Sequence, residues 1–221
     1  MPDTAMFRNV IFDLDGTLLN TLDDLGDAGN YACRQMGWPE HPIEAYKYFV
    51  GNGMEKLVER FTPETCRTPQ QVKVAYDIFM PYYNEHKEDK TIPYEGIPEL
   101  LVRLKQEGIQ IAVLTNKAHH LAGPVMERYF PGVFSFVQGA LPGKPTKPDP
   151  TLLHELMERM GAGEEDTLFV GDSNVDIRTA KNGGLTGCGV LWGFRGREEL
   201  LAEGADHLAE TADELAELIL R

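Results

Sequence analysis

Apolar runs recur along the chain at NVIFD (residues 9–13), IQIAVLT (109–115), FSFVQG (134–139), TLFVGD (167–172) and TGCGVLW (186–192). Several lack the alternation of a half-exposed strand, which predicts parallel strands covered on both faces. Between them, apolar residues fall at helical spacing. Leu100, Leu101 and Leu104 run ahead of Gly108, and Leu152, Leu153, Leu156, Met157 and Met160 run ahead of Gly161. A glycine after the last apolar position is a common helix stop. Strands alternating with helices predict an α/β fold, a doubly wound parallel sheet.

Residues 21–91 break that rhythm. Leu22, Leu25, Gly29, Ala32 and Met36 are helically spaced, and further helical stretches fall near 53–61 and 70–86, with no strand pattern between them. The expectation is a helical domain over 21–91 inserted into a core made of 1–20 and 92–221. Polar segments at Asn20–Asp24 and Lys87–Pro93 are expected to be its linkers.

Open parallel sheets place ligand sites at the carboxyl ends of their strands. Four such ends carry polar chemistry: Asp13 and Asp15; Thr115, Asn116 and Lys117; Lys144 and Lys147; and Asp172 and Asp176. Singly, each is ordinary turn or capping chemistry. Together, three or more carboxylates at one sheet edge call for a hard cation, and short oxygen ligands suit Mg2+. The cation would offset the repulsion between Asp13 and Asp15 and free Asp13 to act on an electrophile.

Composition narrows the partners. The 221 residues include 35 acidic and 21 basic side chains, a formal charge of -14, which argues against nucleic acid or an anionic membrane as partner. Anionic substrates must then be met by local positive groups. Cys33, Cys66 and Cys188 are too scattered for a disulfide framework or a zinc spacing, which fits a reducing cytoplasm. No stretch reaches the roughly 18 apolar residues of a membrane span, and the start MPDTAMFRNV is read as lacking a leader. The histidines show no ligand spacing, and GGLTGCGVLWGF leads into a strand, unlike a dinucleotide fingerprint.

The four stretches DLDGTL, LTN, KPDP and GDSNVD, in that order, resemble the motifs of the haloacid dehalogenase-like hydrolases. The resemblance covers nearly the whole chain, and the helical insert looks like the cap of the phosphoglycolate phosphatase branch. It implies a Rossmann-like core and a phosphatase of small phosphorylated metabolites. By resemblance Asp13 is the nucleophile that forms an aspartyl-phosphate, and Asp15 is acid and then base, oriented by Thr17. Mg2+ would be held by Asp13, the Asp15 carbonyl and Asp172, with Asp176 as ligand or water-linked partner. Thr115, a lysine and the amides near Leu14 and Asn116 would cradle the phosphate. Lys147 is preferred to Lys144 because Pro148, Asp149 and Pro150 anchor it at a helix entry.

In the insert, Gly51, Asn52 and Gly53 open a helix whose amides favour an anion. The same words resemble the cap loop of phosphoglycolate phosphatases, which would meet a small carboxylate when the cap closes. The leading substrate is 2-phosphoglycolate. A β-phosphoglucomutase-like mutase and an inorganic pyrophosphatase share the core motifs, and a non-catalytic binding module shares the fold. The sequence leaves the oligomeric state open.

Overall fold

A computed structural model describes residues 7–221; the amino-terminal residues read above as lacking a leader lie in part outside that range. Two compact units emerge, one built from the residues up to Leu18 together with Pro93–Arg221, the other from Leu19–Ile92.

The chain begins with strands β1 (Asn9–Phe12) and β2 (Leu19–Asn20). Helices α1 (Leu22–Met36), α2 (Tyr46–Phe49), α3 (Met54–Phe61) and α4 (Pro69–His86) follow, and β3 (Ile92–Pro93) pairs with β2. The expected linker at Asn20–Asp24 is therefore corrected. Residues 22–24 are already helical, and Asp23 and Asp24 sit in the first turn of α1, where the positive end of the helix dipole favours them. The second unit is held by an aromatic core in which Tyr46, Phe61, Phe79 and Tyr83 are all buried.

The remaining elements alternate: α5 (Ile97–Gln106), β4 (Gln110–Ala118), α6 (His119–Tyr129), β5 (Phe136–Ala140) and α7 (Thr151–Met160). They end with β6 (Thr167–Gly171), α8 (Asn174–Asn182), β7 (Thr186–Val190), α9 (Arg197–Ala202), β8 (His207–Ala209) and α10 (Ala212–Ile219). Six strands form one sheet in the order β5-β4-β1-β6-β7-β8, with every pair parallel. Ile11, Leu114 and Phe169 of the sheet pack under Leu152, Leu153, Leu156 and Met157 of α7. That helix stops at Gly161 in the left-handed conformation, where the Ala162 amide returns to the Met157 carbonyl.

Strand order sets the position of the site. The chain leaves β1 and returns first on one side through β4, then on the other through β6, so a crevice opens at the carboxyl end of β1. Among the described residues no helix is long and apolar enough to cross a membrane.

Candidate active site

Asp13 directly follows β1, and its amide continues the ladder by donating to the Val170 carbonyl at 2.8 Å. The next turn needs Gly16, at φ +92°, because a Cβ there would overlap the Asp172 carboxylate. That carboxylate is clasped on both oxygens. Thr17 Oγ1 donates to Oδ1 at 3.3 Å and the Phe194 amide to Oδ2 at 2.6 Å. Thr17, expected to orient Asp15 by hydrogen bonding, is fully buried, and its hydroxyl is directed to Asp172.

Asp176 lies in the first turn of α8. Its Oδ2 accepts from the Ser173 amide at 3.0 Å and the Ser173 hydroxyl at 2.7 Å, which leaves Oδ1 aimed elsewhere. There it meets Lys147. The Lys147 ammonium lies 2.7 Å from Asp176 Oδ1 and 2.7 Å from Asp13 Oδ1, buried between them. Its loop is fixed by Asn116, whose side-chain amide accepts from the Lys147 amide at 2.9 Å and donates to the Lys147 carbonyl at 3.0 Å. Lys144 is exposed and pairs with Glu155 instead. Thr115 is buried on β4, which runs on through Ala118 with a register irregularity between Leu114 and Ala118. Thr115 lies in the strand as expected from the run 109–115, and the strand also takes in Asn116 and Lys117, expected just beyond it.

One carboxylate oxygen from each of Asp13, Asp172 and Asp176 lies within 4.8 Å of the others. Oxygens sharing one hard cation stand about 3 to 5 Å apart across the usual Mg2+ and Ca2+ bond lengths, so the three are close enough to gather around one such ion. Their electrostatics agree. Burial raises the Asp13 carboxyl from its ordinary 3.8 to about 7; Lys147 opposes the shift and Asp176 and Asp15 add to it. Burial, then Asp176 and Asp13, push Asp172 well up as well. Burial alone would lower the Lys147 ammonium, but Asp13 and Asp176 more than reverse it, so it stays charged. One ammonium does not neutralise three buried carboxylates, and a divalent cation would.

Asp15 is half-buried and faces Lys117 Nζ, 3.1 Å from Oδ1. The sequence reading gave Lys117 no role and did not consider Tyr94. Burial, Asp172 and Asp15 push the Tyr94 phenol upward. In the second unit, Gly51 and Gly53 adopt φ of +120° and +86° ahead of α3. Asn52 is engaged within that unit, its Oδ1 accepting from Arg60 Nη2 at 2.7 Å. The free cysteines are chemically quiet where buried. Burial raises Cys33 to about 11 and Cys188 to about 12.

Comparison with known proteins matches this geometry to one family. The model of the haloacid dehalogenase-like hydrolases matches residues 10–190. A phosphoglycolate phosphatase of Pseudomonas putida is 34% identical over 203 residues, 89% of this chain and 74% of that protein. One from Vibrio cholerae is 30% identical over 219 residues, covering 96% of each. Among solved structures, a protein of Lactobacillus delbrueckii subsp. bulgaricus provisionally assigned as a phosphoglycolate phosphatase superposes with a TM-score of 0.93. It is 34% identical, over 97% of this chain and 99% of that one. With the family model spanning four strand ends and the carboxylates and lysine gathered there, the chain belongs to the haloacid dehalogenase-like hydrolases.

Proposed function

We propose that this phosphomonoester hydrolase depends on magnesium, works through an aspartyl-phosphate on Asp13, and takes 2-phosphoglycolate as its substrate. The observation that carries the reading is the Lys147 ammonium bridging Asp13 and Asp176 beside a clasped Asp172. It supplies a nucleophile, a cation and a set of metal ligands in one buried place.

Asp13 Oδ attacks phosphorus in line, and the bond from phosphorus to the leaving oxygen breaks. Asp15 gives its proton to the departing alkoxide. In the second step Asp15 takes a proton from water, the water oxygen bonds to phosphorus, and Asp13 is released as a carboxylate with inorganic phosphate. Lys147 and the Thr115 hydroxyl cradle the phosphoryl oxygens, and Asn116 keeps Lys147 in position. Magnesium, held by Asp13, Asp172 and the Asp15 carbonyl with Asp176 as ligand or water-linked partner, would neutralise charge and orient the phosphoryl group.

The substrate assignment is supported by the activity that the Pseudomonas putida and Vibrio cholerae relatives are named for. It is supported too by the loop of Gly51, Asn52 and Gly53, whose amides at the start of α3 suit a small carboxylate. The test is release of phosphate from a panel holding 2-phosphoglycolate, hexose phosphates and pyrophosphate, each with magnesium and with excess chelator. Preferential, magnesium-dependent hydrolysis of 2-phosphoglycolate is expected. A higher kcat/KM for another member of the panel would displace the substrate, and full turnover in chelator would displace the metal.

A further inference from the structure

Lys117 is 3% exposed, and its ammonium crosses from β4 to the loop after β1, where it lies 3.1 Å from Asp15 Oδ1 and 3.5 Å from Oδ2. Burying an ammonium is costly without a partner, and this side chain is held at 1% exposure against a carboxylate at 11%. The lysine is itself anchored. Its backbone amide donates to Thr115 Oγ1 at 3.1 Å, and β4 is hydrogen-bonded directly to β1. Asp15, by contrast, lies outside the six-stranded sheet, just ahead of the turn at Gly16, and the Thr17 hydroxyl expected to orient it is directed to Asp172. A proton-transferring carboxylate must be held within about 0.5 Å of its working geometry. Lys147 is already taken up by Asp13 and Asp176. The two buried lysines therefore divide the carboxylates between them.

We propose that Lys117 is a positioning residue for Asp15, holding Oδ1 so that the carboxyl group is presented to the leaving oxygen and then to water. The inference rests on the reading of Asp15 as acid and base. Lys117 acts through Asp15 and bears no direct part in binding phosphate. Loss of Lys117 then slows substrates that need proton transfer more than those that do not.

The experiment compares wild type, Lys117→Met, Lys117→Arg, Asp15→Asn and the Asp15→Asn/Lys117→Met double variant in saturating magnesium. An alkyl phosphate, 2-phosphoglycolate, is set against an aryl phosphate, 4-nitrophenyl phosphate. For Lys117→Met, kcat on the alkyl phosphate is expected to fall about 10- to 100-fold with KM within about 3-fold, a loss carried by the reacting state and not by binding. The initial burst of 4-nitrophenolate reads the first step directly, and its rate should fall much less, because a phenolate leaves with little protonation. Lys117→Arg should recover part of the alkyl rate. Added to Asp15→Asn, Lys117→Met should cost less than about 2-fold more, since residues acting as a unit are not additive. Equal slowing of the alkyl rate and the aryl burst, a loss carried by KM, or multiplying effects in the double variant would each overturn the assignment. Melting temperatures identify a variant that does not fold. In that event Lys117→Arg decides alone, by unequal or equal slowing of the two substrates. An inactive wild type would refute the parent reading, whereas an active wild type with an unaffected Lys117→Met refutes only the role of Lys117.

Discussion

Replacing Lys147 by methionine removes the ammonium that lies 2.7 Å from both Asp13 Oδ1 and Asp176 Oδ1 and keeps nearly the same length of side chain. The lysine side chain is 3% exposed and the two carboxylates 11% and 1%, so solvent screening relieves little of the loss. Taking one partner from a buried ion pair costs about 3 to 5 kcal/mol, and that is the expected destabilisation of the metal-free protein at pH 8. The figure should shrink in acid. A carboxyl whose folded pKa is raised binds its proton in the folded state while the unfolded chain is still ionised, so stability falls as pH rises through that interval. For Asp13 in the wild type the interval runs from 3.8 to about 7. Without Lys147, which lowers the Asp13 value, the upper edge moves higher still. At pH 5.5 protonation therefore relieves a large share of the cost, leaving about 1 to 2 kcal/mol. The raised lysine value adds nothing to this window, since its contribution is complete below its unfolded pKa and is lost only above it.

The assay is urea unfolding in chelator at pH 5.5 and pH 8. The chain has two tryptophans, Trp38 and Trp192, so a Trp38→Phe background makes fluorescence report the unit that holds Lys147. A loss below about 1 kcal/mol at pH 8, or one of equal size at both pH values, would refute the claim that Lys147 neutralises a buried carboxylate cluster. Turnover gives an independent arm, because on the proposed mechanism Lys147 also cradles the phosphoryl group, which a thioether cannot do. A drop of about 100-fold or more in kcat/KM is expected.

Three further outcomes follow from the same geometry. Asp13→Asn should fold and bind magnesium weakly but turn over nothing, and mass spectrometry should trap phosphate on Asp13 of the wild type; steady turnover by the verified variant excludes Asp13 as nucleophile. Added magnesium should raise the melting temperature of the metal-free protein more at pH 8 than at pH 5.5, because protons compete for the carboxylates of Asp13 and Asp172, both of which are shifted upward. An equal shift at both pH values counts against the metal assignment. Gly16→Ala must place a Cβ against the Asp172 carboxylate at a φ of +92°, so stability should drop by about 2 to 4 kcal/mol with turnover lost. Wild-type melting and activity would contradict the close approach of that turn.

The five long apolar runs were legible as strands because a parallel sheet covered on both faces leaves no polar position to interrupt them. Strand β8, three residues with His207 at one end and only one buried position, offers no such run and was missed. The carboxyl end of β4 was misjudged for the opposite reason. Asn116 and Lys117 look like loop by polarity, yet they extend the strand beyond the run that ends at Thr115. Asp13, Asp172, Asp176 and Lys147 could be assigned to one crevice because each follows a strand or precedes a helix at the same sheet edge. Which group faces which could not be read. That Thr17 donates to Asp172, that Phe194 clasps its other oxygen and that Lys117 meets Asp15 depends on loops separated by between 22 and 155 residues.

The net charge of -14 sharpens what the pairings mean. A chain this acidic repels a phosphate ester at long range, so attraction must arise within the crevice. Both buried lysines there are already engaged: Lys147 with Asp13 and Asp176, Lys117 with Asp15. Four carboxylates, counting Asp172, thus stand against two ammoniums and the buried Arg195 guanidinium that acts on Asp172, and a phosphate dianion would deepen the imbalance. The upward shifts of Asp13 and Asp172 are the same imbalance expressed as proton affinity. On the proposed mechanism a proton on Asp13 would disable the nucleophile, since a protonated carboxyl cannot attack phosphorus. A divalent cation would relieve the imbalance while leaving Asp13 ionised, and so the cluster that disfavours an anion without metal would become a site for one with metal bound.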